Sequence, residues 1–181
     1  MTKRLFLAID LPEKMKEELV DWQESHAKIL NVRWTPKENL HITTVFLGEV
    51  ALEKLGDLGG KLKTGLSGGR KFILRFDRIV WSLEQRDYGM IWAEFKASKE
   101  FDDLVAASRL AVRDFIEVGS SRKQVPHATL ARFKEPIRKI ELSQPGLGQN
   151  EFWVEGVNLM ESELTSERPY YKTMESFKLG N

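Results

Sequence analysis

One tripeptide pattern occurs twice, as His41-Ile42-Thr43 and His127-Ala128-Thr129, and together the two copies use two of the three histidines in 181 residues. Each copy lies in a short run of β-forming residues, and each run is preceded by a helical stretch. The second half of the chain therefore echoes the first. Such a repeat predicts an α+β fold of two similar lobes, with the histidine strands as equivalent parts. No stretch between the halves is long or polar enough to act as a linker, so residues 1–181 are expected to form a single domain.

The remaining elements fit around those strands. Arg4 to Ile9 reads as a strand, and Asp10-Leu11-Pro12-Glu13 as a helix start in which Asp10 caps and Glu13 bonds back. The spacing of Met15, Leu19, Trp22, His26 and Ile29 predicts a helix to about Leu30, with His26 on or beside its buried stripe. A strand is expected from Asn39 to Gly48, then a glycine-weakened helix over 51–64. Phe72 to Leu83 and Tyr88 to Lys96 alternate as a hairpin across residues 84–87. Ser98 caps a helix with Phe101, Leu104, Val105, Ser108, Val112 and Phe115 on one face, and Gly119 ends it. Pro126 to Phe133 forms a strand, and two last strands cover about 151–164 and 170–179.

Composition narrows the function classes. The chain has no cysteine, which excludes disulfides, thiolate catalysis and cysteine-ligated metal centres. The N-terminal apolar run, Leu5 to Ile9, is too short for a signal peptide, and no apolar stretch is long enough to span a membrane. A soluble cytoplasmic monomer is expected. The 28 basic and 27 acidic residues exclude a polybasic tail protein. Two strips are locally basic: Lys61, Lys63, Arg70, Lys71, Arg75 and Arg78, and Arg122, Lys123, Arg132, Lys134, Arg138 and Lys139. Either could attract phosphate or be a solvated surface.

In a strand, residues two apart share a face, so each histidine carries a hydroxyl beside it, about 6.5 Å along the backbone. Two such strands brought together make a site with two imidazoles and two hydroxyls. That set suits a reaction in which one proton is removed and one supplied near neutral pH, on a substrate whose anionic oxygens the hydroxyls hold. Read from the residues alone, each histidine serves equally as a half-buried strand residue bonded to its neighbours. His26, followed by Lys28 and placed on a helix, is assigned to packing or to the helix surface.

The stretches Arg4-Leu5-Phe6-Leu7-Ala8-Ile9-Asp10-Leu11-Pro12, Arg33-Trp34-Thr35-Pro36-Lys37-Glu38-Asn39-Leu40-His41-Ile42-Thr43-Thr44-Val45-Phe46-Leu47-Gly48 and Pro126-His127-Ala128-Thr129-Leu130-Ala131-Arg132 bear on that choice through a resemblance. Together they resemble the two-histidine (2H) phosphoesterases, in particular the RNA 2',3'-cyclic phosphodiesterases also named 2'-5' RNA ligases. Leu159 to Leu164 and Pro169-Tyr170-Tyr171 resemble the C-terminal end of that family.

The resemblance implies a bilobal fold with pseudo-twofold symmetry, two antiparallel sheets facing a central cleft and helices outside. It implies metal-independent hydrolysis of RNA 2',3'-cyclic phosphate ends to 2'-phosphomonoesters, with no cofactor. His41 matches the proton donor, His127 the proton acceptor, and Thr43 and Thr129 the phosphate-holding hydroxyls. Arg132 matches a family arginine, although strand parity points it away from His127 and Thr129 unless a bulge re-aims it. The chain departs from the family pattern at Thr44, often leucine, and at Val125, often arginine. The alternatives are 2'-5' ligation, hydrolysis of another cyclic or 2'-5'-linked nucleotide, and a non-catalytic module that binds RNA ends.

Two other patterns are set aside. Gly65-Leu66-Ser67-Gly68-Gly69 satisfies Gly-x-Ser-x-Gly, but a helix precedes it and a strand follows, the reverse of a nucleophile elbow. Trp34, Trp81, Trp92 and Phe46 are candidates for base stacking, of which at most one or two are expected at the cleft and the rest in the core.

Overall fold

The computed structural model describes residues 1–83, 89–115, 124–133, 141–164 and 169–180. The expected hairpin turn at 84–87, the helix stop at Gly119, and Arg122, Lys123, Lys134, Arg138 and Lys139 of the second basic strip lie outside the described residues.

In chain order the described elements are β1 (Thr2–Asp10), α1 (Glu13–Ser25), β2 (Val32–Trp34), β3 (His41–Ala51), α2 (Leu55–Leu66), β4 (Phe72–Leu83), β5 (Gly89–Phe95), α3 (Lys99–Val112), β6 (His127–Phe133), β7 (Glu151–Val154), β8 (Gly156–Leu164) and β9 (Pro169–Lys178). The strands form one curled antiparallel sheet in the order β7-β4-β5-β6-β3-β1-β8-β9, with the three-residue β2 added to β6. The two expected sheets are present as the two halves of this order. They meet at a single pair, Ile42 opposite Ala128, between the two histidine strands.

The lobes do not coincide with the halves of the sequence. The C-terminal strands β8 and β9 return to β1 and complete the first lobe, so β1 is a central strand and its run Leu5 to Ile9 is buried throughout. A continuous apolar run bounded by polar residues is the signature of a strand covered on both faces.

α1 buries Met15, Leu19 and Trp22, as their spacing predicts, but it ends at Ser25, short of Leu30. His26 caps it, and Asn31 then takes a left-handed conformation (φ 57°) that turns the chain into β2. Its start also differs from the expectation. Pro12 occupies the N-cap position, and Asp10 instead accepts from the Leu11 N–H at 3.1 Å and pairs with the Lys16 ammonium at 2.6 Å. In α3 the Ser98 hydroxyl accepts the Phe101 N–H at 3.1 Å, the cap read from the sequence.

α1 and α3 each back the histidine strand of the other lobe. α1 follows β1 of the first lobe, yet its buried Gln23 amide donates to the carbonyls of Leu130 in β6 (2.9 Å) and of Thr35 (3.0 Å). α3 follows β5 of the second lobe and packs on β3 and α2. A Cβ at Gly65 of α2 would come within 2.7 Å of the Ala111 Cβ, so glycine there permits the two helices to approach. This accounts for the first glycine of the hydrolase-like pattern, and Ser67 spends its hydroxyl on the Thr64 carbonyl at 2.8 Å.

Candidate active site

β3 and β6 carry the same sequence of environments. From His41 to Leu47 and from His127 to Phe133, residues run half-buried, buried, half-buried, buried, buried, exposed, buried. Ile42 and Ala128, opposite one another at the seam, are both fully buried on the side of the core. Strand alternation then puts His41, Thr43, His127 and Thr129 together on the other side. The antiparallel register places His41 across from Thr129 and Thr43 across from His127, with the two histidines diagonal at a Cα spacing of about 7–8 Å. The seam pair is the local twofold centre of this group.

Backbone carbonyls set the orientation of both rings. His41 Nδ1 lies 2.7 Å from the Asn39 carbonyl and His127 Nδ1 lies 2.8 Å from the Val125 carbonyl, in each case the residue two positions earlier. A carbonyl only accepts, so Nδ1 carries the proton in both neutral rings and Nε2 is the basic atom. His41 Nε2 is 3.0 Å from the Thr43 hydroxyl, which donates to it when the ring is neutral. The Gln124 amide donates to the Thr43 carbonyl, tying the approach to β6 to β3.

Aromatic rings complete the setting. His127 stacks on Trp92 of β5 with centroids 3.7 Å apart and planes 20° off parallel. His41 lies 5.0 Å from the Phe6 ring and meets the edge of Tyr171 at 5.2 Å, while Phe6 and Tyr171 touch at 5.0 Å. Burial pushes the His41 imidazole down to about 4, against the Asn39 carbonyl and the Asp10 carboxylate, which favour its charged form. Burial also lowers His127, opposed by the Val125 carbonyl and by Glu94, the residue across from it in β5. The Arg132 guanidinium disfavours the charged form of both rings.

Arg132 reaches the site because β6 contains an irregularity. Trp92 pairs with Thr129 and the adjacent Ile91 with Ala131, which leaves Leu130 as an extra residue. The bulge reverses the alternation beyond it, so exposed Arg132 joins the face of His127 and Thr129, with its guanidinium 2.9 Å from the Met90 sulfur. β3 has the equivalent bulge at Thr44, which is fully buried with its hydroxyl on the Leu7 carbonyl at 3.2 Å.

His26 stacks on Trp22 at 4.1 Å, in a structural role at the end of α1. Most of the first basic strip is neutralised: Lys61 pairs with Asp57 and Asp114, Lys71 with Glu155, Arg75 with Glu151, and Arg78 with Asp77 and Glu94. Among the described residues no group of three or more His, Asp or Glu side chains is placed to hold a metal ion, and no helix is long and apolar enough to cross a membrane.

Sequence reasoning assigned no role to Phe6, Tyr171 or Gln124. Tyr171 reaches His41 from the far end of the chain, and no local pattern announces such a contact. Phe6 lies across from Phe46, inside a continuous apolar run whose pattern does not single it out.

The LigT like Phosphoesterase family model matches residues 9–92, which include the first histidine motif. The RNA 2',3'-cyclic phosphodiesterase of Methanocaldococcus jannaschii is 31% identical, over 96% of this chain and 99% of its own. The protein of the same name from Methanothermobacter thermautotrophicus is 30% identical, over 99% of this chain and 100% of its own. A crystal structure of a Thermus thermophilus protein superposes with a TM-score of 0.84 at 29% identity, covering 97% of both chains. With near-complete coverage in sequence and in fold, this chain belongs to the LigT-like phosphoesterase family.

Proposed function

We propose that the protein hydrolyses RNA 2',3'-cyclic phosphate ends to 2'-phosphomonoesters without a metal ion. What supports this reading is the seam pair Ile42–Ala128, whose register puts His41, Thr43, His127 and Thr129 on one face of the sheet, and the two backbone carbonyls that leave Nε2 of each ring as its basic atom. In the reaction His127 Nε2 takes a proton from water, whose oxygen attacks phosphorus. The bond from phosphorus to the 3'-oxygen breaks, and His41 Nε2–H protonates the departing oxygen. Thr43 and Thr129 donate to the non-bridging oxygens, and Arg132 adds positive charge beside them. The Trp92 face favours the imidazolium that His127 becomes, by the attraction that a ring face exerts on a cation. Within the single domain formed by residues 1–181, each lobe supplies half of this chemistry.

The experiment is product analysis of a short RNA bearing the cyclic terminus. A 2'-phosphate end, formed at the same rate with and without a strong chelator, is the expected result. A 3'-phosphate end would reverse the assignment of the leaving oxygen, and loss of turnover on chelation would overturn the metal-independent mechanism.

The pH dependence follows from the shifted histidines. Reaction needs His41 protonated and His127 neutral, and burial lowers both rings below the ordinary value near 6.5. The kcat/KM profile reports the free protein, so its bell is expected to centre on the acid side of pH 6.5. In the complex, a phosphodiester anion beside both Nε2 atoms favours the charged rings and raises both values. The kcat profile is therefore expected to lie at higher pH than the kcat/KM profile. Coincident bells centred above pH 7 would refute this account.

A further inference from the structure

The proposed hydrolysis moves one positive charge across the seam. His41 begins as the imidazolium and ends neutral, while His127 begins neutral and ends as the imidazolium. A site with matched acid–base groups runs equally well in either sense unless its surroundings tell the two rings apart.

Each ring has a carboxylate directly across from it on the neighbouring strand of its own lobe, Asp10 of β1 opposite His41 and Glu94 of β5 opposite His127. Residues paired in this way share a face, with Cβ atoms about 5 Å apart. Each carboxylate is in turn held by a cation. Lys16 of α1 reaches Asp10 at 2.6 Å, and Arg78 of β4 reaches Glu94 Oε2 with Nε at 3.3 Å and Nη2 at 3.4 Å.

The symmetry stops at burial. In the first lobe the cation is the sheltered member of the pair: the side chain of Lys16 is 9% exposed and that of Asp10 60%. In the second lobe it is the carboxylate, with Glu94 17% exposed and Arg78 61%. Water screens an exposed charge more than a sheltered one. At His41 the Asp10 carboxylate favours the imidazolium and the buried Lys16 ammonium opposes it. At His127 Glu94 favours the imidazolium, with its own counter-charge set out in solvent. Among the described residues, the other charged group acting on His127 is Arg132 of its own strand, which disfavours the charged form of both rings, while His41 lies diagonally across the seam and the residue opposite, Thr43, is uncharged.

We propose that Glu94, steadied by Arg78, is a positioning residue for the base: it stabilises the imidazolium that His127 becomes and, with Lys16 set against the charge on His41, fixes the sense in which the proton crosses the seam. The inference rests on the proposed function for the reaction, although the coupling of Glu94 to His127 can be measured without turnover.

The test is Glu94→Gln, which keeps the size of the side chain and removes its charge. The imidazole C–H signals of the unaltered protein and of the variant are titrated by NMR, with assignments from His41→Ala and His127→Ala. The His127 midpoint should move to lower pH in Glu94→Gln, and further than that of His41. No movement at His127, or an equal movement of both rings, overturns the inference. The second arm is the single-turnover rate with protein in saturating excess, so that the variant's weaker repulsion of an anionic substrate does not enter, read upward from about pH 5, above the ordinary carboxylate range. On the alkaline limb the reactive form is limited by protonation of His41 alone, and a less basic His127 makes the variant slower by about two- to fivefold. Toward acid, a less basic His127 is neutral in a larger share of molecules, so the deficit should shrink and then reverse. A constant ratio of the two rates at every pH, the mark of a purely structural role, overturns the inference. If the unaltered protein leaves the cyclic phosphate intact, the proposed function fails, and the NMR titration still decides whether Glu94 acts on His127.

Discussion

Replacing either His41 or His127 by alanine should lower kcat/KM on an RNA 2',3'-cyclic phosphate end by about 10²–10⁴-fold, the usual contribution of one positioned general acid or base. Each imidazole is the sole proton-transferring group that its strand brings to the seam, and each is held with Nε2 outward by a backbone carbonyl at 2.7 or 2.8 Å. The double variant should lose little more than the poorer single one, because a reaction deprived of its acid gains little from its base. Both rings are only half-buried and bond through the main chain, so circular dichroism and melting curves should show folded variants. Turnover near the unaltered rate in either folded variant would remove the acid–base reading altogether.

The largest expected loss of stability is at Phe101→Ala, about 3–5 kcal/mol, the range for deleting a buried aromatic side chain. Phe101 is fully buried on the inner face of α3, directly after the Ser98 cap. For a chain of this size that is a fall of about 6–20 °C in Tm. Leu110→Ala on the same helix is the control. Its side chain is 64% exposed, so the change should stay within about 0.5 kcal/mol. Equal destabilisation by the two variants would show that α3 is not buried through the face that carries Phe101.

Much of this architecture is legible in the sequence, and the parts that are not have identifiable physical causes. The strand from Phe72 to Leu83 and the helix capped at Ser98 are set by local alternation and capping, and both are found where those signals put them. The pairing of the histidine motifs is equally visible because two identical short patterns occur in a chain with three histidines. Arg132 is different: strict alternation points it away from the site, and only the unpaired Leu130 reverses that. A bulge is a property of two strands in register, so one strand's sequence does not reveal it. The return of β8 and β9 to β1 is likewise a choice among long-range pairings, each compatible with the same alternating residues. At the end of α1 the apolar spacing continues to Ile29, but the chain must turn into β2, and that tertiary demand overrides the local periodicity.

The crossed helices have a mechanical consequence. With α1 clamped by Gln23 to Leu130 of β6, and α3 lying behind β3, neither half of the sheet can swing away without dragging the opposite half's support along. Jaw-like opening is thereby discouraged, and the spacing of the two imidazoles is yoked from behind. Melting should proceed as one transition, and severing the chain after α2 should yield two insoluble fragments rather than two half-sites.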